Sequence, residues 1–159
     1  MLNFNDTTEK IRRVMNDPKN FNIFKGLVKE TDAEHLKKLI NIGKKLLGDD
    51  GNFNWIDTSN INDMYGLFYN DSTFNGHIEL WNVSNVKNMR CMFSGAESFN
   101  QPIGDWDVSN VKDMECMFNG AKSFKQDLSK WKLKSDCKTY RMFNSSCPIK
   151  KVYKPEGIE

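Results

Sequence analysis

The sequence is poor in the residues that carry most enzyme and metal chemistry. It contains only two histidines, and its four cysteines include no C-x-x-C pair, so the usual structural-zinc signature is missing. No phosphate-binding loop, no G-x-S-x-G motif and no H-E-x-x-H motif occurs. We therefore predict no catalytic residues, no metal and no cofactor, and we expect a protein that is not an enzyme.

Long apolar runs are also absent, and the charge is nearly balanced. No stretch approaches the roughly 20 apolar residues of a membrane span. The first residues, MLNFNDTTEKIRRVMND, lack the apolar core of a signal peptide, so the sequence as written predicts a cytoplasmic protein with reduced thiols. A removed export signal would instead place it at the cell surface. The net charge of +2 gives no support to a nucleic-acid partner.

What the sequence does contain is a tandem repeat. The segment WNVSNVKNMRCMFSGAESFNQPIGD (81–105) is followed directly by WDVSNVKDMECMFNGAKSFKQDLSK (106–130), which has the same length. Weaker copies precede and follow these two. Such self-similarity is typical of architectures in which each unit buries its apolar side only against its neighbours.

The apolar columns of the repeat predict how one unit folds. One group has the helical spacing i, i+3, i+6 and i+7, namely Val111, Met114, Met117 and Phe118. Phe124 and Leu128 lie an even number of residues apart, as on one face of a short strand. We therefore predict an α/β solenoid of three to four helix-plus-strand units. Aromatic side chains should stack from unit to unit, as one ladder of Phe93, Phe118 and Phe143 and another of Trp81, Trp106 and Trp131.

Residues 1–50 do not repeat and predict helices. One helix is expected from about residue 7 to 16, and a capping box at Thr31–Glu34 opens another that ends at Gly48. Gly43 leaves a gap in the apolar stripe of that helix. We predict an N-terminal helical cap over residues 1–50 and a repeat domain over residues 51–159. The alternative is a helix that docks a partner or nucleic acid, and the acidic residues around its lysines favour the cap.

The repeat motifs resemble a known family. DTSNINDMYGLF, WNVSNVKNMRCMF and WDVSNVKDMECMF, each followed by an SFNQ-like segment, are similar to BspA-like leucine-rich repeats of the type found in mycoplasma lipoproteins. The resemblance covers about residues 52–153. It implies a right-handed leucine-rich-repeat solenoid with a parallel sheet. It also implies an adhesin or protein-interaction module. Ile149 and Tyr153 occupy the places of Phe124 and Leu128, so the columns themselves predict a closing strand at residues 149–153.

Functional residues are expected in the columns that differ between units. Positions that alternate with the core on the predicted strands form these columns. They are Asn75, His77, Glu79, Asn100, Lys125, Asp127 and Lys150. Plain solvent-facing polarity is the alternative for each. Cys91 and Cys116 share one column and predict packing, with a disulfide or a metal site as the alternatives.

The predicted function is a protein-binding module that is not an enzyme. Another protein is the expected partner; no small-molecule substrate is evident, and nucleic acid is not expected. Short length and the missing leader favour an intracellular inhibitor, immunity or adaptor protein of bacterial or phage origin. The alternative is a fragment of a bacterial surface adhesin or lipoprotein.

Overall fold

A computed structural model describes residues 33–158, and its regular secondary structure is sparse. One α-helix, α1, runs over Ala33–Leu47, and one 3-10 helix, η1, runs over Lys151–Tyr153. The described residues contain no β-strand. The prediction of an α/β solenoid built from helix-plus-strand units is therefore wrong, and so is the leucine-rich-repeat assignment. The predicted helix at residues 7–16 and the capping residue Thr31 lie outside the described residues.

Turns, rather than helices and strands, make up the repeat. Isolated parallel bridges join equivalent residues of adjacent units, such as Asp63 with Asn88 and Asn88 with Asp113. Backbone N–H groups of one unit donate to carbonyls of the next unit, for example from Met64 to Asn88 at 2.8 Å. Each unit thus lies directly over its neighbour, about 4.8 Å away as in any parallel bridge.

Left-handed residues explain why the predicted helix of the repeat does not form. Gly66, Cys91, Cys116 and Arg141 occupy one column, and all four have φ between 52° and 57°. A residue in that region breaks the helical run of φ and ψ, so the chain forms a turn instead of a helix. The N–H groups freed in this way bond to the next unit, as Cys91 does to the Glu115 carbonyl at 2.9 Å.

The interior is a pair of parallel phenylalanine ladders. One ladder contains the predicted members and extends them by one residue, with ring centroids 5.4 to 5.6 Å apart: Phe68, Phe93, Phe118 and Phe143. The other joins Phe74, Phe99 and Phe124 at 5.9 to 6.0 Å. The tryptophans contact the first ladder, as Trp106 does Phe93 at 6.4 Å. The predicted phenylalanine ladder is confirmed, whereas Trp81, Trp106 and Trp131 each face a phenylalanine ring.

Helix α1 packs on the N-terminal end of this stack. Its buried Leu36 and Ile40 belong to the same core as the repeats. Gly43 is needed because a Cβ there would lie 2.6 Å from the Phe53 ring. The helix ends as predicted at Gly48, which has φ of 83° and donates to the Lys44 carbonyl at 2.9 Å. A domain boundary at residue 50 remains a prediction.

The C-terminal part also departs from the prediction. Residues 149–153 were expected to form a closing strand, but Lys151–Tyr153 form the 3-10 helix η1. Tyr153 contributes one carbonyl, which accepts the Leu128 N–H at 2.7 Å. In the part of the chain that the structure describes, no helix has the length and apolarity needed to cross a bilayer.

Candidate protein-binding surface

Two of the predicted site residues hold the stack together. Asn75 Oδ1 accepts the backbone N–H of Asn100 at 2.9 Å and Gln101 Nε2 at 3.0 Å. One unit further, Asn100 Oδ1 accepts the Lys125 N–H at 3.1 Å and Gln126 Nε2 at 3.0 Å. Both asparagines are half-buried, so their amide oxygens serve the next unit instead of facing solvent.

Three other predicted residues meet at the C-terminal end. A groove of about 440 Å³ is lined by Lys125, Gln126, Asp127, Pro148, Lys150 and Tyr153. The Lys150 ammonium lies 5.6 Å from the centroid of the Tyr153 ring. Hydrogen bonds from the Ser129 side chain and backbone hold the pKa of Asp127 below its ordinary value. The groove thus carries fixed charges of both signs, with no pair of groups set up for acid–base chemistry.

His77 and Glu79 lie apart from that groove, in the first unit. Their side chains approach within 3.4 Å, and the backbone of His77 forms a parallel bridge with Asn52. The structure therefore does not bring the predicted columns together into one site.

The exposed tyrosines are a feature that the sequence analysis missed. Tyr65, Tyr69 and Tyr140 are 59%, 57% and 65% exposed, whereas every tryptophan of the described chain is buried. Tyr65 and Tyr140 occupy one column of the repeat, three units apart, and Tyr69 lies in the same turn as Tyr65. The signal was available, because these aromatic residues fall outside the apolar columns.

An ion pair fills the column between Tyr65 and Tyr140. Arg90 Nη1 contacts Glu115 Oε2 in the adjacent unit. Glu115 raises the pKa of the Arg90 guanidinium, so this cation persists at any physiological pH. We call the surface formed by the next set the tyrosine face. It consists of Tyr65, Tyr69, Arg90, Glu115, Tyr140 and Arg141. With units about 4.8 Å apart, its column spans about 14 Å from Tyr65 to Tyr140.

Cys91 and Cys137 are free thiols of low reactivity. Burial raises the pKa of Cys91, and the neighbouring Cys116 raises it further. Burial also raises the pKa of Cys137 to about 11. Protonated thiols are poor nucleophiles and poor metal ligands at neutral pH. Within residues 33–158, no three His, Cys, Asp or Glu side chains are grouped so that they could hold a metal ion.

A larger cavity near the N-terminal end contains no catalytic constellation. It has a volume of about 490 Å³ and is lined by Asn54, Trp55, Ile56, Asp57, Thr58, Ser59, Leu80 and Asn82. The only charged side chain in this lining is Asp57, whose Oδ1 accepts the Ser59 N–H at 2.9 Å. One carboxylate in an Asx turn supplies neither a nucleophile nor an acid–base pair.

Fold and surface together define a class: a stack of turn-built repeats with an aromatic core and an exposed polar and aromatic face. The chain belongs to the family described as "Mycoplasma protein of unknown function, DUF285", which matches residues 34–154. No curated protein and no solved structure matches the chain. This match confirms the predicted resemblance to mycoplasma proteins. The predicted inhibitor and phage roles find no support in the family or the described fold, and we withdraw them.

Proposed function

We propose that the chain is a protein-binding module that works without catalysis and uses the tyrosine face. The observation that carries the proposal is the concentration of exposed tyrosines in one turn of the repeat. Burying a large aromatic side chain is favourable, and an exposed one at a fixed, rigid position is typical of a surface that another molecule covers.

Residue composition supports a protein as the partner. Tyrosine and arginine are enriched in protein interfaces and among the residues that dominate binding energy. Tyr65 and Tyr69 supply broad rings on a backbone held by hydrogen bonds to the next unit, such as Gly66 to Arg90 at 3.0 Å. A backbone held in place loses little conformational freedom on binding, which favours affinity.

The charges on the tyrosine face favour one alignment of the partner protein over others. Arg90 and Glu115 lie side by side in the middle, and Arg141 stacks on Tyr140 with its guanidinium carbon 5.2 Å from the ring. A partner must match this order of positive and negative groups, because a misplaced like charge costs energy when water is excluded.

Affinity capture with matched variants tests this proposal. The wild-type chain should recover a stoichiometric protein from a native lysate of its source, and Tyr65→Ala with Tyr69→Ala should weaken capture about tenfold. Leu80→Ala is the control, because Leu80 is 67% exposed and lies outside the face. Failure to recover any stoichiometric protein, or equal loss in the Leu80→Ala variant, would count against the proposal.

A surface adhesin or lipoprotein fragment is the second candidate, and the resemblance of the repeat motifs to those of mycoplasma lipoproteins favours it. It differs from an intracellular adaptor in location, not in binding chemistry. Protease treatment of intact source cells separates the two. Rapid cleavage of the chain would place it outside the cell, and full protection would support the cytoplasmic prediction.

A further inference from the structure

The last repeat unit has an unfinished edge. In the first two units, four N–H groups of the turn donate to backbone carbonyls of the next unit, and three of these four positions do so in the third unit as well. In the last unit the equivalent donors are the N–H groups of Thr139, Arg141 and Phe143. The described residues offer them no acceptor.

Equivalent residues in the earlier units show where the three N–H groups point. The Cys91 N–H donates to the Glu115 carbonyl at 2.9 Å, and the Cys116 N–H donates to the Tyr140 carbonyl at 3.0 Å. Arg141 is the next member of that column and has φ of 52°, close to 55° and 57° for the two cysteines. Its N–H therefore points to the position that the next unit's carbonyl would occupy.

A groove lies along this edge. Its volume is about 320 Å³, and it is lined by Thr139, Tyr140, Arg141, Met142, Phe143, Gly157 and Ile158. The opposite wall, Gly157 and Ile158, belongs to the segment that follows η1. All three donors thus line a space that has room for more chain, and unpaired edge donors are a template for pairing with an incoming strand.

Charge around the groove indicates what should enter. Lys138 precedes the lining residue Thr139, Arg141 lines the groove, and Lys154 contacts Phe143. The acidic side chain beside the groove is Glu156, which precedes Gly157. The ammonium of Lys154 lies 5.4 Å from the Phe143 ring, and Arg141 is exposed. Elsewhere in the stack, opposite charges one unit apart pair, as in Lys122 with Glu97 at 2.7 Å. An acidic segment in the position of the next unit continues this pairing of opposite charges.

We propose that the edge formed by Thr139, Arg141 and Phe143 binds an extended, acidic segment of a partner protein. The segment's carbonyls accept the three N–H groups, and its carboxylates lie over Lys138 and over Tyr140, beside Arg141. This inference rests on the proposed function, since it adds a second contact to the same protein-binding module.

Hydrogen exchange of the full chain tests the edge without any ligand. Cys91 and Cys116 are internal controls, because their N–H groups occupy the same column and are bonded. We expect the Arg141 and Phe143 amides to exchange much faster than those of the two cysteines. Equal protection at high dilution would show that the edge is already covered, and loss of protection only on dilution would assign it to a second copy. Either result overturns the proposal.

A synthetic peptide then tests the occupant. The probe copies residues 111–120 with serine in place of cysteine, because Asp113, Glu115 and Met117 present their carbonyls in register within the stack. A matched peptide has lysine at both acidic positions. We expect the acidic peptide to bind and to slow exchange at Arg141, and the lysine peptide to bind at least about fivefold more weakly. Equal binding of the two peptides, or no binding, refutes the acidic occupant.

Charge reversal tests the acidic occupant, and the variant at Tyr65 and Tyr69 separates this edge from the rest of the tyrosine face. Arg141→Glu and Lys138→Glu should each weaken peptide binding about fivefold, while Lys151→Glu, an exposed lysine outside the groove, should not. The Tyr65→Ala and Tyr69→Ala variant lies in the first unit and should leave peptide binding unchanged. If the acidic peptide does not bind, but capture of the partner protein is still weakened by Tyr65→Ala with Tyr69→Ala, the edge proposal is refuted and the proposed function stands. If the peptide binds but no partner depends on those tyrosines, the proposed function falls.

Discussion

Replacing Asn100 with alanine should destabilise the stack, whereas replacing its neighbour in the next unit, Lys125, should not. Asn100 was predicted as a binding residue, but its Oδ1 accepts the Lys125 N–H at 3.1 Å and Gln126 Nε2 at 3.0 Å. Asn100→Ala removes both acceptor contacts. Lys125→Ala is the matched control, because it keeps the backbone N–H and removes only an exposed side chain.

The expected loss is about 1–2 kcal/mol of unfolding free energy, since a typical hydrogen bond contributes about 0.5–1.5 kcal/mol net. The loss falls short of two full bonds because Gln126 Nε2 keeps the Asn100 carbonyl at 2.8 Å and water can reach the Lys125 N–H. For a chain of 159 residues this corresponds to a Tm lower by roughly 3–6 °C. Lys125→Ala should stay within about 0.5 kcal/mol of wild type.

Urea unfolding followed by tryptophan fluorescence measures these differences, since all four tryptophans are buried. Asn100→Asp provides a further check, because a carboxylate oxygen can accept the same two donors. It should restore much of the lost stability. An Asn100→Ala variant as stable as wild type that nevertheless fails to bind the partner would refute the scaffold role and restore the original prediction.

Three further perturbations probe the backbone and the charges. Cys116→Gly should be about 1 kcal/mol more stable than Cys116→Ala, because φ is 57° at this position and the comparison cancels the loss of the thiol; equal unfolding midpoints would refute the backbone argument. Gly104→Ala should cost about 1–3 kcal/mol, because its Cβ would lie 2.3 Å from the Asp127 carbonyl oxygen, and exposed Pro102→Ala is the control in the same urea assay. Hydrogen bonds from Ser109 hold the pKa of Asp107 below 3.8, so its contribution to stability is present above that pH and is lost as pH falls through the lowered pKa. Ser109→Ala should therefore reduce the loss of stability below about pH 4, whereas Ser123→Ala should leave the acid limb of the unfolding curve unchanged.

The repeat and its aromatic columns could be predicted because they depend on side-chain chemistry. A phenylalanine at the same place in every unit has one favourable arrangement in a stack, which is against its copies, and Phe93, Phe118 and Phe143 take that arrangement. The helix over Ala33–Leu47 was also predictable, since its apolar stripe and the terminal Gly48 are local signals.

Secondary structure within the repeat could not be predicted from the apolar spacing. Val111, Met114, Met117 and Phe118 have helical spacing, but a chain of turns around the same core presents the same residues inward. The deciding residues were Cys91 and Cys116 at positive φ, a conformation that cysteine rarely adopts in isolation. Hydrogen bonds to the next unit hold them there, and the acceptors of those bonds are distant in the sequence.

The role of Asn75 and Asn100 could not be predicted either, because it depends on hydrogen bonds to the next unit. A polar residue in a variable column predicts a surface position, yet Asn75 and Asn100 direct their amide oxygens to the next unit. Tyr65 and Tyr140 share their column with Arg90 and Glu115, so the sequence already indicated that this column faces outward.

The sequence by itself determined that units of constant length repeat, that apolar and aromatic columns form their core, and that a helix precedes them. Only the tertiary structure decided that the units are turns and where the stack is left unfinished. Side-chain periodicity is a property of the chain, whereas the direction of an N–H group depends on the neighbouring unit that accepts it. At Arg141 that neighbour is missing among the described residues, and this is where the structure points to a partner.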